Sequence, residues 1–385
     1  MMRRNVLIWT SVVVLLAATA WIVVAPWQLI RYPTNLDETL HYTGTVAIPV
    51  TPGASSEVRQ PLSITRHIRV VKSTFDKVWI RETITNHLGS DVRVQENGYI
   101  LDRRTMKPVA GDGNFAFTPS NKVTRSGAYA QPQFPMHVAS SGAYKVWSDD
   151  TASVFDALSS GDHAKSGKLD LIVLRAHAAP HPVTAAYREF LGLPATTTLA
   201  DAAKLANVDL NTVMQSLAGV LPASAMAQLV SLTTEPLPLA YQLESTGTVG
   251  VEPLTGGVVQ VNDIGNRLTV SPELAELHLR TVLADYALDP TVRTVLDKFD
   301  ELATRPPVTA MALSYSETPA SERAAAHAAA DLRNKARLVT IWVPAWASMG
   351  ALVLIGAAIA LSRRNEAVPA DAHPATHHWW QHRAA

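Results

Sequence analysis

The chain has 385 residues, with 33 lysines and arginines balanced by 33 aspartates and glutamates, so its formal net charge is zero. It contains no cysteine. Disulfides, zinc–thiolate sites, iron–sulfur clusters and cysteine nucleophiles are therefore excluded. The balanced charge also provides no overall field that would attract nucleic acid or acidic lipid.

Two uncharged apolar runs lie near the ends of the chain. The first extends from Asn5 to Pro26 and the second from Leu338 to Leu361, and each carries tryptophan near an end. A helix needs about 20 apolar residues to cross the hydrocarbon layer, and tryptophan favours the headgroup region. The sequence therefore predicts two transmembrane helices, over residues 5–26 and 338–362.

The first run has a second interpretation as a cleaved signal peptide. Ala18-Thr19-Ala20 resembles a signal-peptidase site. The apolar stretch continues past this site and exceeds the usual signal core of roughly 7–15 residues, which favours a retained anchor.

The arginines that flank the two runs predict an orientation. Two arginines precede the first run and two follow the second. Because positive residues stay in the cytoplasm, residues 1–4 and the tail 363–385 are predicted to be cytoplasmic and residues 27–337 extracytoplasmic. Three basic residues directly before the second run argue against this orientation for that helix alone.

The region between residues 37 and 150 has the character of β-structure. Short runs rich in Val, Ile, Thr and aromatic residues alternate with turn formers. In KVWIRETITNH, Val78, Ile80 and Ile84 share one face of the predicted strand, and Glu82 interrupts that face. This alternation is typical of antiparallel strands that have one covered face.

The pattern then changes to a helical period. Residues 183–233 predict a small insert of short helices, which either pack on the sheet or form an apolar cap that meets a lipid or a partner. Strands resume after Pro236 and are joined by a turn over residues 253–257. A helix with Thr318 as its N-cap and Pro319 as its first residue leads into the second apolar run.

The predicted fold class is accordingly α+β. Two transmembrane helices flank a single β-rich, antiparallel extracytoplasmic domain over residues 27–337, with the helical insert inside it. Gly356 and Ala360 in the second run form a small-x-x-x-small pair that allows close packing against the first helix or against membrane-protein partners.

One segment resembles the helix-turn-helix of a bacterial repressor. In Thr197–Leu217 a helix begins at Leu199, a bend falls near Asn207 and a second helix begins at Leu210. The segment has a single basic residue, Lys204, whereas DNA binding draws most of its affinity from several lysines and arginines on phosphates. The sequence therefore predicts two short packed helices and no nucleic-acid partner.

The chain shows no catalytic signature such as a nucleophile elbow, a Walker loop or a zincin motif. Asp149 and Asp150 are adjacent acids of a kind that more often form a turn or a helix cap than a catalytic pair. We therefore predict no catalytic residue and no cofactor, and the residues of any ligand site stay undefined.

Four histidines in the C-terminal tail are candidates for a metal site. They form two pairs at i, i+4 spacing, which allows two imidazoles to share one divalent ion, and they are His373, His377, His378 and His382. No acidic second shell accompanies them. The favoured interpretation is a disordered cytoplasmic tail without bound metal.

Several segments, in this order and around the two apolar runs, resemble an actinobacterial family of two-helix envelope membrane proteins of unknown function that is labelled the porin PorA family. The segments are RYPTNLDETLHYTGT, GYILDRRTMKPV, QFPMHVASSGAYKVWSD, VEPLTGGVV and SETPASERAAAHAAADLRNKARLVTIWVP. The resemblance implies a mycolate-type envelope and an exported domain anchored at both ends. It supplies no catalytic residues.

The sequence predicts a non-enzymatic, two-pass protein of the cell membrane whose ectodomain binds or transfers an apolar ligand such as an envelope lipid. The alternatives are a scaffold for envelope-assembly partners and a hydrolase with an unrecognised site. A channel is disfavoured, because a β-barrel pore needs many lipid-facing strands and neither apolar run has a polar stripe to line a pore. The expected partners are the bilayer, the lipid ligand and other membrane proteins.

Overall fold

The computed structural model describes residues 2–29, 31–49, 56–125, 127–130, 134–205, 208–274 and 278–366. The chain forms two compact units. The smaller unit combines Met1–Arg31 with Arg333–Ala385, and the larger unit is Tyr32–Leu332.

The larger unit is built on a curled antiparallel sheet of twelve strands. In chain order the strands are β1 Asp37–Pro49, β2 Glu57–Ser73, β3 Lys77–Leu88, β4 Asp91–Asp102, β5 Tyr129–Ala130, β6 Ser141–Ser148, β7 Ser153–Ser166, β8 Leu169–Pro182, β9 Thr196–Thr198, β10 Pro236–Val251, β11 Val258–Pro272 and β12 Val308–Glu317. Their order across the sheet is β4-β3-β2-β1-β12-β11-β10-β8-β7-β6-β5, and β9 pairs with β10. Only the short contact of β5 with β6 is parallel among the described pairs.

The strands that come first and last along the chain, β1 and β12, are neighbours in the sheet. Tyr42 of β1 lies opposite Glu317 of β12, and the two strands are antiparallel. The start of β1 and the end of β12 therefore lie at the same end of the sheet, which we call the entry end. Asp37 pairs with Arg69 near the end of β2, so the β2–β3 turn lies at the entry end as well.

The predicted alternation is present in the first strands. In β3, Val78, Ile80 and Glu82 are buried on the inner face, and the residues between them are half-buried. Residue types that branch at Cβ or carry rings suit such a half-covered, pleated surface. The interruption of the apolar face at Glu82 is thus retained inside the fold.

Helices accompany the sheet of the larger unit. They are α2 Ala185–Phe190, α3 Leu199–Leu205, α4 Leu210–Ala218, α5 Ala223–Thr234, α6 Leu279–Leu283, α7 Pro290–Ala303 and the start of α8 Pro319–Arg337. Thr318 caps α8 through a bond from the Ser321 main-chain N–H to its hydroxyl, 3.3 Å long, and Pro319 is its first residue, as predicted.

Helices α3 to α7 form a hydrophobic core of their own. Leu217, Leu229, Leu283, Val292 and Leu237 of β10 belong to one buried cluster. Helix α2 instead packs on the sheet, where Tyr187 lies in a cluster with residues of β10 and β11. The apolar faces of the insert are therefore covered mainly by other helices.

The segment that resembles a helix-turn-helix consists of two short helices. Helices α3 and α4 begin at Leu199 and Leu210, as predicted, and Leu217 is buried in the helical core. The predicted bend at Asn207 lies outside the described residues.

In the smaller unit, α1 Met2–Leu29 packs beside α9 Val343–Glu366. The Trp21 indole N–H donates to the Val339 carbonyl over 3.0 Å. Ala351 and Ala358 of α9, seven residues apart, are fully buried. The predicted pair Gly356–Ala360 does not pack on α1, because both residues are exposed, and its use toward membrane-protein partners stays a prediction. Small side chains two turns apart let the helix backbones approach closely.

We expect Ala358→Leu to destabilise the α1–α9 pair by about 1–3 kcal/mol, because added methylenes overpack a closely packed site. Gly356→Leu is the matched control, since a Cβ at Gly356 meets nothing within 4 Å. Denaturant titration of the full chain in detergent, followed by the fluorescence of the tryptophans, measures both. Equal losses for the two variants would contradict this packing.

The two-span prediction is wrong. Within the described residues, one helix is long and apolar enough to cross a membrane, Pro319–Ala360, with 42 residues and a mean hydropathy of 1.9 in its most apolar stretch. Within the part of α1 whose side chains the structure describes, the apolar stretch is Trp9–Trp21, which is shorter than the about 20 residues that a span needs. The predicted α+β class with two flanking transmembrane helices, and the multi-pass placement built on it, are therefore replaced by a curled antiparallel sheet and one candidate span.

Candidate functional site: a polar cavity inside the curled sheet

The inner side of the curled sheet encloses a cavity of about 320 Å³. Apolar side chains form part of its wall, including Leu62, Ile64, Ile84, Phe155 and Val261. Polar and ionisable side chains contribute as well, among them Tyr42, Arg66, Glu82, Arg93, Gln95, Asn97, Tyr99, Asp149, Asp150, Tyr187, Asn266 and Tyr315.

A buried ion pair lies at one side of this cavity. Arg66 of β2 donates through Nε to Glu82 on the neighbouring strand β3, and the two side chains are 13% and 2% exposed. The other carboxylate oxygen of Glu82 accepts hydrogen bonds from Asn97 Nδ2, at 2.8 Å, and from the Tyr99 hydroxyl, at 2.7 Å. Three adjacent strands therefore share one polar network.

The environment keeps Glu82 ionised. Burial alone raises the pKa of its carboxyl, but the Arg66 charge and the hydrogen bonds from Asn97 and Tyr99 outweigh burial and hold the pKa below its ordinary value. Burial likewise opposes the charge of Arg66, and Glu82 more than compensates, so the pKa of the guanidinium is raised. Both members of the pair are charged at neutral pH.

The network continues from the sheet into the segment that follows β4. Asn97 Oδ1 accepts from Gln95 Nε2, at 3.1 Å, and from the Phe117 main-chain N–H, at 3.0 Å. Polar groups inside a protein are costly unless they are bonded in this way. The inner polar face is therefore held in a defined geometry.

A second buried cation, Arg125, joins the two sides of the curled sheet. Its Nε and Nη2 bind the two oxygens of Asp149 at 2.8 and 2.7 Å, and its Nη1 donates to the Gly98 carbonyl of β4 at 2.6 Å. Strand β4 lies at one edge of the sheet, and Asp149 directly follows β6 near the other edge. The Arg125 side chain is 0% exposed.

Glycine is required at position 98 by this arrangement. A Cβ there would overlap the Phe115 ring and the Gly113 carbonyl, because the segment after β4 crosses directly over the strand. Phe115 and Gly98 also exchange main-chain hydrogen bonds of 2.9 and 3.2 Å.

Asp150 differs from the other charged groups of the cavity. Burial, together with the negative charges of Asp149 and Glu82, raises the pKa of its carboxyl to about 7. Its carboxylate has no hydrogen bond or ion pair within the described part of the chain. Its negative charge contributes to raising the pKa of the nearby Tyr187 and Tyr315 hydroxyls. The other two carboxylates of the cavity, Glu82 and Asp149, each have an arginine partner.

The cavity therefore changes its charge near neutral pH. Because the folded-state pKa of Asp150 is about 7, the carboxylate is ionised above this pH and protonated below it. Glu82 and Asp149 are neutralised by Arg66 and Arg125, and the remaining arginine of the wall, Arg93, is paired with Asp91. The interior holds one uncompensated negative charge at high pH and none at low pH.

Sequence reasoning singled out two residues of this site without assigning them to a site. Asp149 and Asp150 lie in the turn between β6 and β7, as predicted, although their roles in the cavity were not foreseen. Arg66 and Glu82 were missed as a pair, and the available signal was the single acid on the apolar face of β3.

The predicted metal candidates lie in a part of the chain that the structure does not describe. These are the tail histidines His373, His377, His378 and His382. Within the described ranges, no group of three or more histidine, aspartate or glutamate side chains is placed to hold a metal ion.

The fold and the cavity define a protein with a curled sheet around a solute-sized, partly polar compartment and one helix that suits a membrane span. A family model described as Porin PorA matches residues 5–360. The chain therefore belongs to the porin PorA family, as its sequence resemblance predicted, and this family indicates a membrane protein. The actinobacterial source stays a prediction. No curated protein matches the chain.

The predicted apolar ligand is wrong, and so is the argument against a channel. That argument considered only lipid-facing strands and the two apolar runs. The porin family match and the large curled antiparallel sheet are compatible with a channel, and the cavity wall presents buried ionised groups.

Proposed function

We propose that the protein is a non-enzymatic membrane protein of the cell envelope that passes small hydrophilic solutes, and that these solutes occupy the polar cavity of the curled sheet. The observation that carries this proposal is the fixed network of Arg66, Glu82, Asn97 and Tyr99 on the cavity wall. Selective passage depends on groups of this kind, which replace the water around a solute.

The size of the cavity supports a small solute. A volume of about 320 Å³ lies at the lower end of small-molecule sites, which run from about 300 to 1,000 Å³. Ions, small polyols and amines fit such a space, whereas a polymer does not.

The charge of the cavity favours cations. Above pH 7 Asp150 carries a negative charge that no arginine balances. A low-dielectric wall concentrates such a field, so a cation enters more favourably than an anion of the same size. Below pH 7 this preference is lost, because the carboxyl is protonated.

The proposed placement follows from the helix Pro319–Ala360. Its length and composition suit a membrane span, and we propose that the sheet lies outside the cytoplasm, with the bilayer as a partner and no nucleic-acid partner. Orientation is measurable with a reporter fused within the larger unit.

The decisive experiment is electrical recording from the full chain in planar lipid bilayers. We expect discrete conductance steps and, at pH 8, a reversal potential that favours K⁺ over Cl⁻. Asp150→Asn should move the permeability ratio several-fold toward one at pH 8, and the wild type should show the same change on acidification to pH 5. Binding of the solute is monitored in parallel by calorimetry.

Asp170→Asn is the matched control, since Asp170 is an exposed residue of β8 that does not line the cavity. It should leave the permeability ratio unchanged. The absence of conductance steps with correctly folded protein would overturn the proposal of solute passage. Conductance steps whose ion selectivity is unchanged in Asp150→Asn would exclude this cavity as the path.

A further inference from the structure

The entry end of the sheet carries a cluster of positive charge and exposed aromatic surface. Segments 69–77 and 102–107 hold six cationic side chains and only two carboxylates, Asp76 and Asp102. We call their cations together with Phe75 the basic turn surface; it comprises Arg69, Lys72, Phe75, Lys77, Arg103, Arg104 and Lys107.

The two turns of this surface are locked together. The Arg103 main-chain N–H donates to the Asp76 carbonyl at 2.8 Å, and Arg103 Nη1 donates to the Thr74 carbonyl at 3.0 Å. Arg103 also exchanges two bonds with Tyr32, through Nε to the Tyr32 carbonyl and through its own carbonyl to the Tyr32 N–H. The surface is thus fixed to the segment by which the chain enters the sheet.

Apolar side chains project from this basic surface into solvent. Phe75, at the tip of the β2–β3 turn, is 68% exposed, and Val71 is 51% exposed. The Lys72 ammonium lies 4.9 Å from the centre of the Trp79 ring, and the Arg104 guanidinium lies 5.9 Å from that of Phe75. Aromatic and cationic side chains combined in this way are typical of surfaces that rest at a bilayer interface.

The topology of the sheet gives this surface its partner. The helix Pro319–Ala360, the candidate membrane span, begins directly after β12, at the entry end. Its first turns still belong to the larger unit, where Glu322 accepts hydrogen bonds from Ser166 and Gln260. The β2–β3 turn lies at the entry end as well, so the basic turn surface and the start of this helix share one end of the sheet.

We propose that the basic turn surface docks on the headgroup region of an anionic membrane, with Phe75 entering the interface between the phosphates. The cations attract the negative surface potential of such a leaflet, and the exposed ring supplies the apolar contact. This docking fixes the sheet relative to the bilayer and is separate from the passage of solutes.

A single fluorescent label tests the proposal, because the chain has no native cysteine. Phe75→Cys is labelled with the environment-sensitive fluorophore NBD in the full chain, reconstituted in nanodiscs of phosphatidylcholine with or without phosphatidylglycerol. We expect a blue-shifted emission and strong quenching by nitroxide lipids in the anionic discs. Leu288→Cys, at a residue 93% exposed beside α7, is the control and should respond to aqueous iodide only.

Charge reversal separates electrostatic docking from simple proximity. Lys72→Glu with Lys107→Glu should reduce the lipid quenching at position 75 several-fold, whereas Lys204→Glu, on exposed helix α3, should not. Equal quenching in neutral and anionic discs would overturn the electrostatic recognition. Quenching of the label at position 75 by aqueous iodide in both kinds of nanodisc would overturn membrane docking. The partner of this surface would then be an acidic protein. Neither result depends on conductance.

Discussion

Glu82→Leu is expected to lower the free energy of unfolding by about 3–5 kcal/mol, the usual cost of removing one partner of a buried ion pair. The variant leaves the Arg66 guanidinium, 13% exposed, without its carboxylate. It also leaves Asn97 Nδ2 and the Tyr99 hydroxyl without their acceptor. Urea titration of the full chain in detergent, followed by near-ultraviolet circular dichroism, measures the loss.

The double variant Arg66→Met with Glu82→Leu provides the control. Well-packed apolar residues often replace a buried ion pair with little loss or with a gain, so the double variant should be more stable than Glu82→Leu alone. A double variant as unstable as the single one would show that the cost arises from packing and not from the stranded charge. Bilayer recordings of the same two variants test whether solute passage requires the network.

Arg125→Met is expected to cost a similar amount, about 3–5 kcal/mol, because Asp149 then stays buried without its cation. The variant also removes the donors to the Gly98 and Phe115 carbonyls. Hydrogen exchange should rise first in the segment after β4 and in the β6–β7 turn, where the two sides of the sheet are joined.

An exposed ion pair on the same sheet serves as the comparison. Lys145 and Asp156 are 61% and 43% exposed at the side chain, and pairs of this kind contribute about 0–1 kcal/mol. Lys145→Met should therefore be nearly neutral in the same urea titration. If Arg125→Met were equally mild, Arg125 would not hold the two sides of the sheet together.

Local patterns predicted the first strands well, and the site only in part. Residues such as Val78 and Ile80 alternate with outward-facing neighbours, so the strand and its covered face follow from the sequence. Glu82 interrupts this pattern. Because burying an unpaired charge is costly, a buried acid on an apolar face indicates that a cationic partner lies nearby. That partner, Arg66, lies on the preceding strand, and only the register between the strands places the two side chains together.

Features that depend on distant pairing were not predictable. The contact between β1 and β12 has no local signal, and neither has the bond that Arg125 makes to Asp149. The two-span prediction failed because it rested on the length and composition of an uncharged run, whereas the apolar part of α1 within the described residues is short. The predicted function was wrong as well, because only lipid-facing strands and the two apolar runs were considered as means of forming a channel.

The pairing of β1 with β12 has a consequence for biosynthesis. The seam at the middle of the sheet joins the earliest strand to the latest, so it forms only after the ribosome has released nearly the whole chain. Sheets dominated by such non-local pairs fold slowly, and until then the polar edge of β1 is open to pairing with other chains. The export proposed above would therefore deliver an unfinished sheet, and a partner that shields β1 during delivery would raise the yield of correctly folded molecules.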